Sequence, residues 1–424
     1  MKAVKTAGLL LLSLLSAACI GTLLLCGAYA LPTGPIDENV RKSAEILEKE
    51  GTYPSLFSWC LSTLDNFTDS YMLLEAADPT EEPLLQRALL NRPGVGSRDP
   101  RKALTDHYLG GEPFPEGTGY TRYWHGYQIW LKPLLSVTTY GGIRILNGIF
   151  QAGLTALACF LLYRKNLKNL ILPFLMTVLM LMPAALAMSL QFSACFDTAV
   201  LAMAALLSVK ESRRPIVFLF TGIATAYFDL LTYPVFTFGM PAVLMLAMNS
   251  RETAGANLLR LVRAGLFWGL GYAGMWVLKW VIAGLFTNQD VIADALKQIG
   301  VRTSDLSQDD VTHVSAFECA GRNVLWFIRT PAAALPVLYA AWKSVSFLRN
   351  RKGNTPAAHA RVLPYLAIAL VPFAWFAVTI NHSYMHIFFA CKTLGVSVFA
   401  AAAWLASADS APDSISNKRG ELAL

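Results

Sequence analysis

The amino-acid sequence predicts an all-α, polytopic integral membrane protein with about ten transmembrane helices and a long helical first outer loop. The 424-residue chain is 55% hydrophobic and only 15% charged, whereas soluble domains carry roughly 25% charged residues. A soluble core stops growing at roughly 250–300 residues, so one aqueous core cannot bury this many apolar side chains. The composition therefore excludes a soluble enzyme, a disordered scaffold and a disulfide-stapled secreted module.

The second observation is the number of apolar windows. A helix needs roughly 20 apolar residues to cross a bilayer. Ten windows approach that length, near residues 7–29, 144–163, 168–188, 194–209, 215–231, 233–249, 263–286, 323–346, 362–380 and 386–407. The windows at 194–209 and 215–231 are short, which indicates broken or tilted spans.

These windows divide the chain into four parts. We expect an N-terminal transmembrane anchor (1–30), an outer loop with juxtamembrane helices (31–135), a transmembrane bundle with a second outer loop near 287–322 (136–407), and a cytoplasmic tail (408–424). The first part resembles a secretory signal. Its apolar run of about 23 residues is longer than the usual signal core, so we predict an uncleaved anchor.

Basic residues predict the orientation. Lys2 and Lys5 precede the first span. Every second connection after that, and the tail, is basic, with Arg164, Lys165, Lys168, Lys210, Arg213, Arg214, Arg251, Arg260, Arg263, Arg349, Arg351, Lys352, Arg361, Lys418 and Arg419. The positive-inside rule then places both termini in the cytoplasm and the active face outside. We predict the plasma membrane of a bacterium, and this pattern explains the net charge of +7 without a nucleic-acid partner.

Ionisable side chains at membrane depth are the first functional candidates, because each costs about 2.5–3.5 kcal/mol on insertion scales. They share the predicted outer side and are candidate substrate-binding residues: Arg144, Asp197, Asp229, His382, His386 and Lys392. Asp229 can alternatively cap the next span. His382 and His386 have the spacing of two metal ligands on one helical face, or they make interfacial hydrogen bonds. Because the sequence offers no clear third ligand beside these two histidines, we predict that no metal or cofactor is required. A divalent cation is compatible with the sequence.

The first outer loop supplies the candidate catalytic residues. Asp65 and Asp69 are four residues apart, so they share one face if residues 64–75 are helical. Two close carboxylates push one pKa upward, as general acid–base catalysis often needs. The alternative is that these residues cap the helix that follows.

The same loop ends in a run of mixed polar and aromatic residues. Arg122, Trp124, His125 and Tyr127 lead into an amphipathic segment at 128–135. They are candidates for substrate contacts. The alternative is an interfacial aromatic belt with a snorkelling arginine.

This architecture resembles that of the GT-C glycosyltransferase superfamily over the whole chain. The shared features are a short cytoplasmic N-terminus, one anchor span, a long helical first outer loop and an acidic residue early in that loop. The resemblance implies an inverting transfer of a sugar from a polyprenyl-phosphate donor to a cell-envelope glycan, lipid or protein acceptor. It gives the role of base to Asp65, with Asp69 as the near alternative. The family often has an adjacent acidic pair where this chain has Asp65-Asn66.

Such a transfer needs a base on the incoming hydroxyl and cations or donors against the charge on the phosphate leaving group. We expect the phosphate contacts to come from Arg122, His125, Arg144, His382, His386 and Lys392. Trp124 and Tyr127 would stack on sugar rings.

Three other classes of protein stay open. A transporter would use midplane charges and broken helices in paired repeats, and the chain has no detectable second half. A polysaccharide polymerase or ligase usually has its large outer loop later in the chain. A non-catalytic membrane assembly protein is the third alternative.

Overall fold

Helices account for the regular structure of this chain. The computed structural model describes residues 2–92, 95, 98–117, 119–250, 252–307, 312–349 and 362–408. In these residues the fold is all-helical, and the only β-type pairing is two isolated bridges, Ser55 to Thr63 and Leu306 to His313. The predicted all-α class is confirmed.

The helices are numbered here in chain order. The first six are α1 (Lys2–Tyr29), α2 (Thr33–Glu50), α3 (Asn66–Ala77), α4 (Leu84–Leu90), α5 (Pro100–Tyr108) and α6 (Gln128–Leu135). They are followed by α7 (Tyr140–Arg164), α8 (Ile171–Met180), α9 (Pro183–Met188), α10 (Leu190–Ser208), α11 (Arg214–Phe228), α12 (Val235–Met248), α13 (Ala254–Phe286), α14 (Val291–Thr303), α15 (Ala316–Ile328), α16 (Ala334–Arg349), α17 (Val362–Ala369), α18 (Val371–Val378), α19 (Ile380–Met385), α20 (Ile387–Ala390) and α21 (Gly395–Ala408).

Five helical segments among the described residues are long and apolar enough to cross a membrane. They are Ala7–Tyr29, Tyr140–Arg164, Leu190–Ser208, Ala254–Phe286 and Ile387–Ser407. A sixth candidate is the pair Ala316–Ile328 and Pro331–Ser346, which is bent by 96°. These helices fit a polytopic helical membrane protein, but the predicted count of about ten transmembrane helices is wrong.

The predicted count fails because four apolar windows form short or broken helices. The window at 168–188 breaks at Met182, whose φ of 63° is left-handed, just before Pro183. The window at 362–380 divides into α17 and α18, with Pro372 at the start of α18. Helices α11 and α12 have 15 and 14 residues, which at 1.5 Å per residue is less than the roughly 30 Å hydrocarbon core.

Helices α2 to α6 form a region of short helices, in which α2, α3, α5 and α6 share a hydrophobic core with the start of α7 and Leu190 of α10. In α2 the buried apolar residues Ile36, Val40, Ala44 and Leu47 recur at helical spacing, so one face of this helix packs on its neighbours. The segment 31–135 is therefore a packed helical region whose core continues into α7 and α10. The orientation of the chain in a membrane stays a prediction. Some of the basic residues on which it rests lie at 350–361 and 409–424, outside the described residues.

Candidate functional site

A polar cavity of about 680 Å³ lies where the α2–α6 region meets α14 and the segment before α21. Its wall combines residues from 53–123, 289–302 and 382–389 with Gln191 and Leu230, which are distant from one another in sequence. Its polar lining includes Asp65, Thr68, Tyr71, Tyr120, Arg122, Tyr123, Gln191, Asp290, Asp294, Arg302, His382 and His386.

Asp65 lines this cavity and is also the N-cap of α3. Its carboxylate accepts hydrogen bonds from the Thr68 backbone N–H at 3.1 Å and from the Thr68 hydroxyl at 2.8 Å. Burial raises the pKa of Asp65 to about 7; the hydrogen bonds from Thr68 oppose this shift, and the nearby Asp69 carboxylate adds to it. The capping alternative is confirmed for Asp65. A carboxyl that ionises near neutral pH also suits a general base.

Asp69 faces α10 rather than the polar cavity. Its carboxylate accepts hydrogen bonds from the Tyr140 hydroxyl at 2.5 Å and from the backbone N–H groups of Leu190 and Gln191 at 3.0 and 3.2 Å. Asp69 thus accepts hydrogen bonds from backbone N–H groups at the start of α10 that have no acceptor within the helix. Burial raises its pKa to about 6, against the hydrogen bond from Tyr140. The two aspartates diverge because Asp65 has a non-helical backbone (φ −112°, ψ 68°).

Arg302 and two histidines form one wall of the cavity. Arg302 Nη1 lies 2.9 Å from His386 Nε2 and 3.5 Å from His382 Nδ1, and His382 Nε2 lies 2.6 Å from the Leu231 carbonyl oxygen. Burial, and then the charge of Arg302, lower the pKa of His386 to about 3. Burial also lowers the pKa of His382, helped by His386 and Arg302. Both imidazoles are therefore neutral at pH 7 and do not add to the positive charge of Arg302.

Arg122 connects the α2–α6 region to α14 across the same cavity. Its Nη1 donates to Asp294 Oδ2 at 2.9 Å. Its guanidinium carbon lies 4.3 Å from the centre of the Tyr120 ring and 5.4 Å from that of Tyr123, within the range of a cation–π contact. The cavity wall therefore has three arginines, Arg98, Arg122 and Arg302, of which Arg98 pairs with Asp106 and Glu112.

Trp124, His125 and Tyr127 are buried beneath the cavity. Trp124 Nε1 donates to the Met275 carbonyl at 2.7 Å. His125 Nδ1 lies 2.9 Å from Glu75 Oε2, which also accepts from the Tyr127 hydroxyl at 2.6 Å. Trp124 thus fastens the α2–α6 region to α13, whereas His125 and Tyr127 bind Glu75 within that region. Sequence reasoning missed Glu75.

Glu75 is fully buried yet ionised. Burial alone would raise its pKa, but the charge of His125 and hydrogen bonds from His125, Tyr127 and Tyr29 lower it overall. Asn91 donates to Glu75 at 3.0 Å and accepts from Lys279 of α13 at 2.9 Å. A glutamate inside a predicted helix gives no sequence signal for such a network.

Arg144 is fully used in holding helices together. It makes a bidentate pair with Glu50 at 2.7 and 2.9 Å and donates through Nε to the Met188 carbonyl at 2.8 Å. Its Nη2, one of the two donors to Glu50, also donates to Asn66 Oδ1 at 3.0 Å and to the Tyr140 hydroxyl at 2.8 Å. It joins α7 to the α2–α6 region.

Asp229 and Lys392 also have structural contacts. Asp229 follows α11 and accepts from the Thr232 backbone N–H at 3.0 Å, so it caps the turn before α12. Lys392 is buried, and its Nζ donates to the carbonyls of Leu61 and Leu181 at 3.3 and 3.2 Å.

An apolar cleft of about 370 Å³ adjoins the polar cavity, and Gln191 and Leu230 line both. The rest of its lining includes Tyr127, Trp130, Leu134, Ile143, Leu146, Phe150, Ala194, Asp197 and Leu201. Leu146, Phe150 and Leu201 are about half exposed, so the cleft opens sideways between α7 and α10. Asp197 Oδ1 has no hydrogen-bond partner among the described residues.

The structure therefore divides the predicted site residues into three groups. The polar cavity brings together Asp65, Arg122, His382 and His386; the apolar cleft contains Tyr127 and Asp197; and Asp69, Trp124, His125, Arg144, Asp229 and Lys392 make contacts elsewhere. Sequence reasoning missed Arg302, because a single arginine in a polar loop has no distinguishing pattern.

Comparison with known proteins identifies no family for this chain. The chain matches no protein-family model, no curated protein and no solved structure. Within the described residues, no group of three or more His, Cys, Asp or Glu side chains is arranged to hold a metal ion.

Proposed function

We propose that this chain is a membrane glycosyltransferase of GT-C type in a bacterial plasma membrane, with its polar cavity on the outer face. It transfers a sugar from a polyprenyl-phosphate donor to a cell-envelope glycan, lipid or protein acceptor, and it requires no cofactor.

The observation that carries this proposal is the pairing of the polar cavity with the apolar cleft. Gln191 and Leu230 line both, so one amphiphilic molecule can occupy the two spaces together. A lipid-linked sugar phosphate has this character, with a polar head and an apolar tail. The sideways opening at Leu146, Phe150 and Leu201 gives such a tail access from the bilayer.

The proposed chemistry gives roles to three charged groups of the cavity. The Asp65 carboxylate accepts the proton of the acceptor hydroxyl while the hydroxyl oxygen bonds to the anomeric carbon. The bond from that carbon to the phosphate oxygen breaks, and its electron pair leaves with the polyprenyl phosphate. Arg302 and Arg122 offset the charge on this leaving group. Attack from the face opposite the phosphate inverts the anomeric configuration.

The test is donor consumption by purified protein in lipid nanodiscs, using a panel of polyprenyl-phosphate sugars. We expect Asp65→Asn to lower the rate by about 10²–10⁴-fold, the usual contribution of a general base. Asparagine preserves the N-cap, so folding should survive. The matched control is Asp99→Asn, because Asp99 caps α5 through the Arg101 backbone N–H at 2.9 Å and is not part of the cavity wall.

The outcomes separate the alternatives. Loss of activity in Asp65→Asn with full activity in Asp99→Asn supports the proposal. A well-folded protein that consumes none of the donors contradicts it and favours a transporter or an assembly protein. Equal loss in both variants would show that the effect comes from the helix caps.

A further inference from the structure

A second, smaller pocket lies at the opposite end of the bundle from the polar cavity. It has a volume of about 150 Å³ and is lined by residues at the starts of α11 and α13, including Glu211, Arg214, Phe218, Arg260 and Arg263. Helix α11 runs from this pocket at Arg214 to Phe228, two residues before Leu230 of the polar cavity wall. We call it the arginine pocket.

The arginine pocket has an excess of positive charge. Three guanidinium groups line it, against the single carboxylate of Glu211. Among the described residues, Arg260 makes ion pairs at 3.2 Å with Glu211 and 3.6 Å with Glu252. Arg214 has a long hydrogen bond of 3.5 Å to Asn249 Oδ1.

Two of these arginines have buried donors without an acceptor. In the described part of the chain, neither Arg214 Nε nor Arg260 Nη1 has a hydrogen-bond partner. Leaving a buried donor unpaired is destabilising, and more so when the group is charged. An anion in the pocket would offer acceptors to these donors, and the N-terminus of the 15-residue α11 adds a favourable partial charge.

The surroundings of the pocket are apolar. Ile216 and Phe220 of α11 are about half exposed, and Leu259, Val262 and Leu266 of α13 are between 59% and 70% exposed. Arginine makes bidentate pairs with phosphate oxygens, and basic pockets between membrane helices bind phospholipid head groups.

We infer that the arginine pocket binds a phosphate group, carried by an anionic phospholipid or present as a free ion. This site is separate from the polar cavity, and it does not depend on the glycosyltransferase proposal.

The experiment measures thermal unfolding and retained lipid for purified protein in neutral, phosphate-free detergent. The added probes are phosphatidylglycerol, phosphatidylcholine and inorganic phosphate. Arg214→Gln and Arg260→Gln remove the unpartnered donors, and Arg263→Gln removes an exposed guanidinium from the same wall. Arg213→Gln is the matched control, since Arg213 is exposed, adjacent in sequence and not part of the pocket wall.

We expect phosphatidylglycerol to raise the unfolding midpoint, with an apparent affinity that falls about fivefold for each pocket arginine removed. Arg213→Gln should keep the wild-type affinity. Stabilisation by phosphatidylglycerol but not by inorganic phosphate identifies a lipid head group, and stabilisation by inorganic phosphate identifies a free anion.

Three results would overturn the inference. The first is that neither anionic probe stabilises the protein more than phosphatidylcholine does. The second is that Arg213→Gln weakens binding as much as the pocket variants do. The third concerns the case in which Arg214→Gln or Arg260→Gln fails to fold. In that case, wild-type affinity for phosphatidylglycerol in the folded Arg263→Gln variant would overturn the inference.

Discussion

Asp65 combines two roles that the sequence presents as alternatives. Its carboxylate caps α3 through Thr68, and the same carboxylate lines the polar cavity. Capping normally stabilises the ionised form, yet burial outweighs it and raises the pKa to about 7. The cap therefore fixes the position of the carboxylate, while burial sets its proton affinity.

This pKa predicts the pH dependence of the proposed transfer. A general base acts only when deprotonated, so kcat/KM should rise about tenfold per pH unit below pH 7 and level off above it. The remaining activity of Asp65→Asn should not show this rise in kcat/KM below pH 7. The measurement is a pH–rate profile for both proteins, with Asp99→Asn as the control that keeps the wild-type curve. A flat wild-type profile across neutral pH would contradict the assignment of Asp65 as base.

The contribution of Asp65 to folding stability should fall as the pH rises, whereas the proposed activity should increase. The pKa of Asp65 is about 7 in the folded protein and about 3.9 in an unfolded chain. Its contribution is therefore greatest below pH 4 and is lost as the pH rises towards 7. Because Asp65→Asn cannot ionise, its unfolding midpoint should depend less on pH in this range than that of the wild type.

Among single residues, sequence patterns identify those whose chemistry is unusual for their place. Asp65 was predicted from its spacing to Asp69 and from the GT-C resemblance, and His382 and His386 because they are ionisable residues next to apolar spans. Arg302 and Glu75 were not, since an arginine or glutamate within a polar helix is ordinary. Their importance comes from tertiary contacts with His386 and His125, which no local pattern encodes.

For the helices, the apolar character of a segment was easier to predict than whether one unbroken helix runs through it. The amphipathic segment predicted at 128–135 forms α6 with the same bounds. The wrong count of spans came partly from the shortness of α11 and α12 and partly from breaks at Met182, Pro183 and Pro372. Hydropathy averages over such breaks, whereas proline removes a backbone donor and ends a hydrogen-bond ladder.

The packing of α11 on α13 depends on two glycines. A Cβ atom on Gly222 would lie 2.1 Å from the Trp268 carbonyl oxygen, and one on Gly271 would lie 2.2 Å from the Leu219 carbonyl oxygen. Both neighbours are backbone atoms, which cannot rotate away. Small residues of this kind allow the close helix approach seen in membrane proteins.

We therefore expect Gly271→Ala to lower the free energy of unfolding by about 1–3 kcal/mol through overpacking. Gly269→Ala is the matched control on the same helix, since a Cβ there meets no atom within 4 Å. It should be neutral, or stabilising by up to about 1 kcal/mol through helix propensity. Thermal unfolding in one detergent measures both variants, and equal midpoints would show that the close contact does not matter.

For the whole molecule, the two halves of the proposed substrate site come from different parts of the chain. The polar cavity combines Asp65 with Arg302 of α14 and His386 near the end of the chain, and the apolar cleft lies chiefly between α7 and α10. Composition could predict the membrane class and the helical outer loop, because both follow from local sequence. It could not predict the shared wall at Gln191 and Leu230, which depends on how distant helices pack.

The shared wall predicts that the polar cavity and the apolar cleft bind one ligand together. Ala194 lines the cleft, so Ala194→Phe should fill space that a lipid tail needs. We expect affinity for a long-chain polyprenyl phosphate to fall about tenfold, the equivalent of 1–2 buried methylene groups. Affinity for geranyl phosphate, with the same head and a short tail, should change little.

Ile149→Phe is the control for this prediction, because Ile149 of α7 is 66% exposed and lies outside the cleft wall. Ligand binding can be followed by tryptophan fluorescence, since Trp130 is part of the cleft wall. If Ala194→Phe weakens both phosphates equally, the cleft acts on the polar cavity through the packing of α10 and does not hold the tail. If it weakens neither, the lipid leaves the polar cavity by another path, and the pairing that carries the glycosyltransferase proposal loses its physical basis.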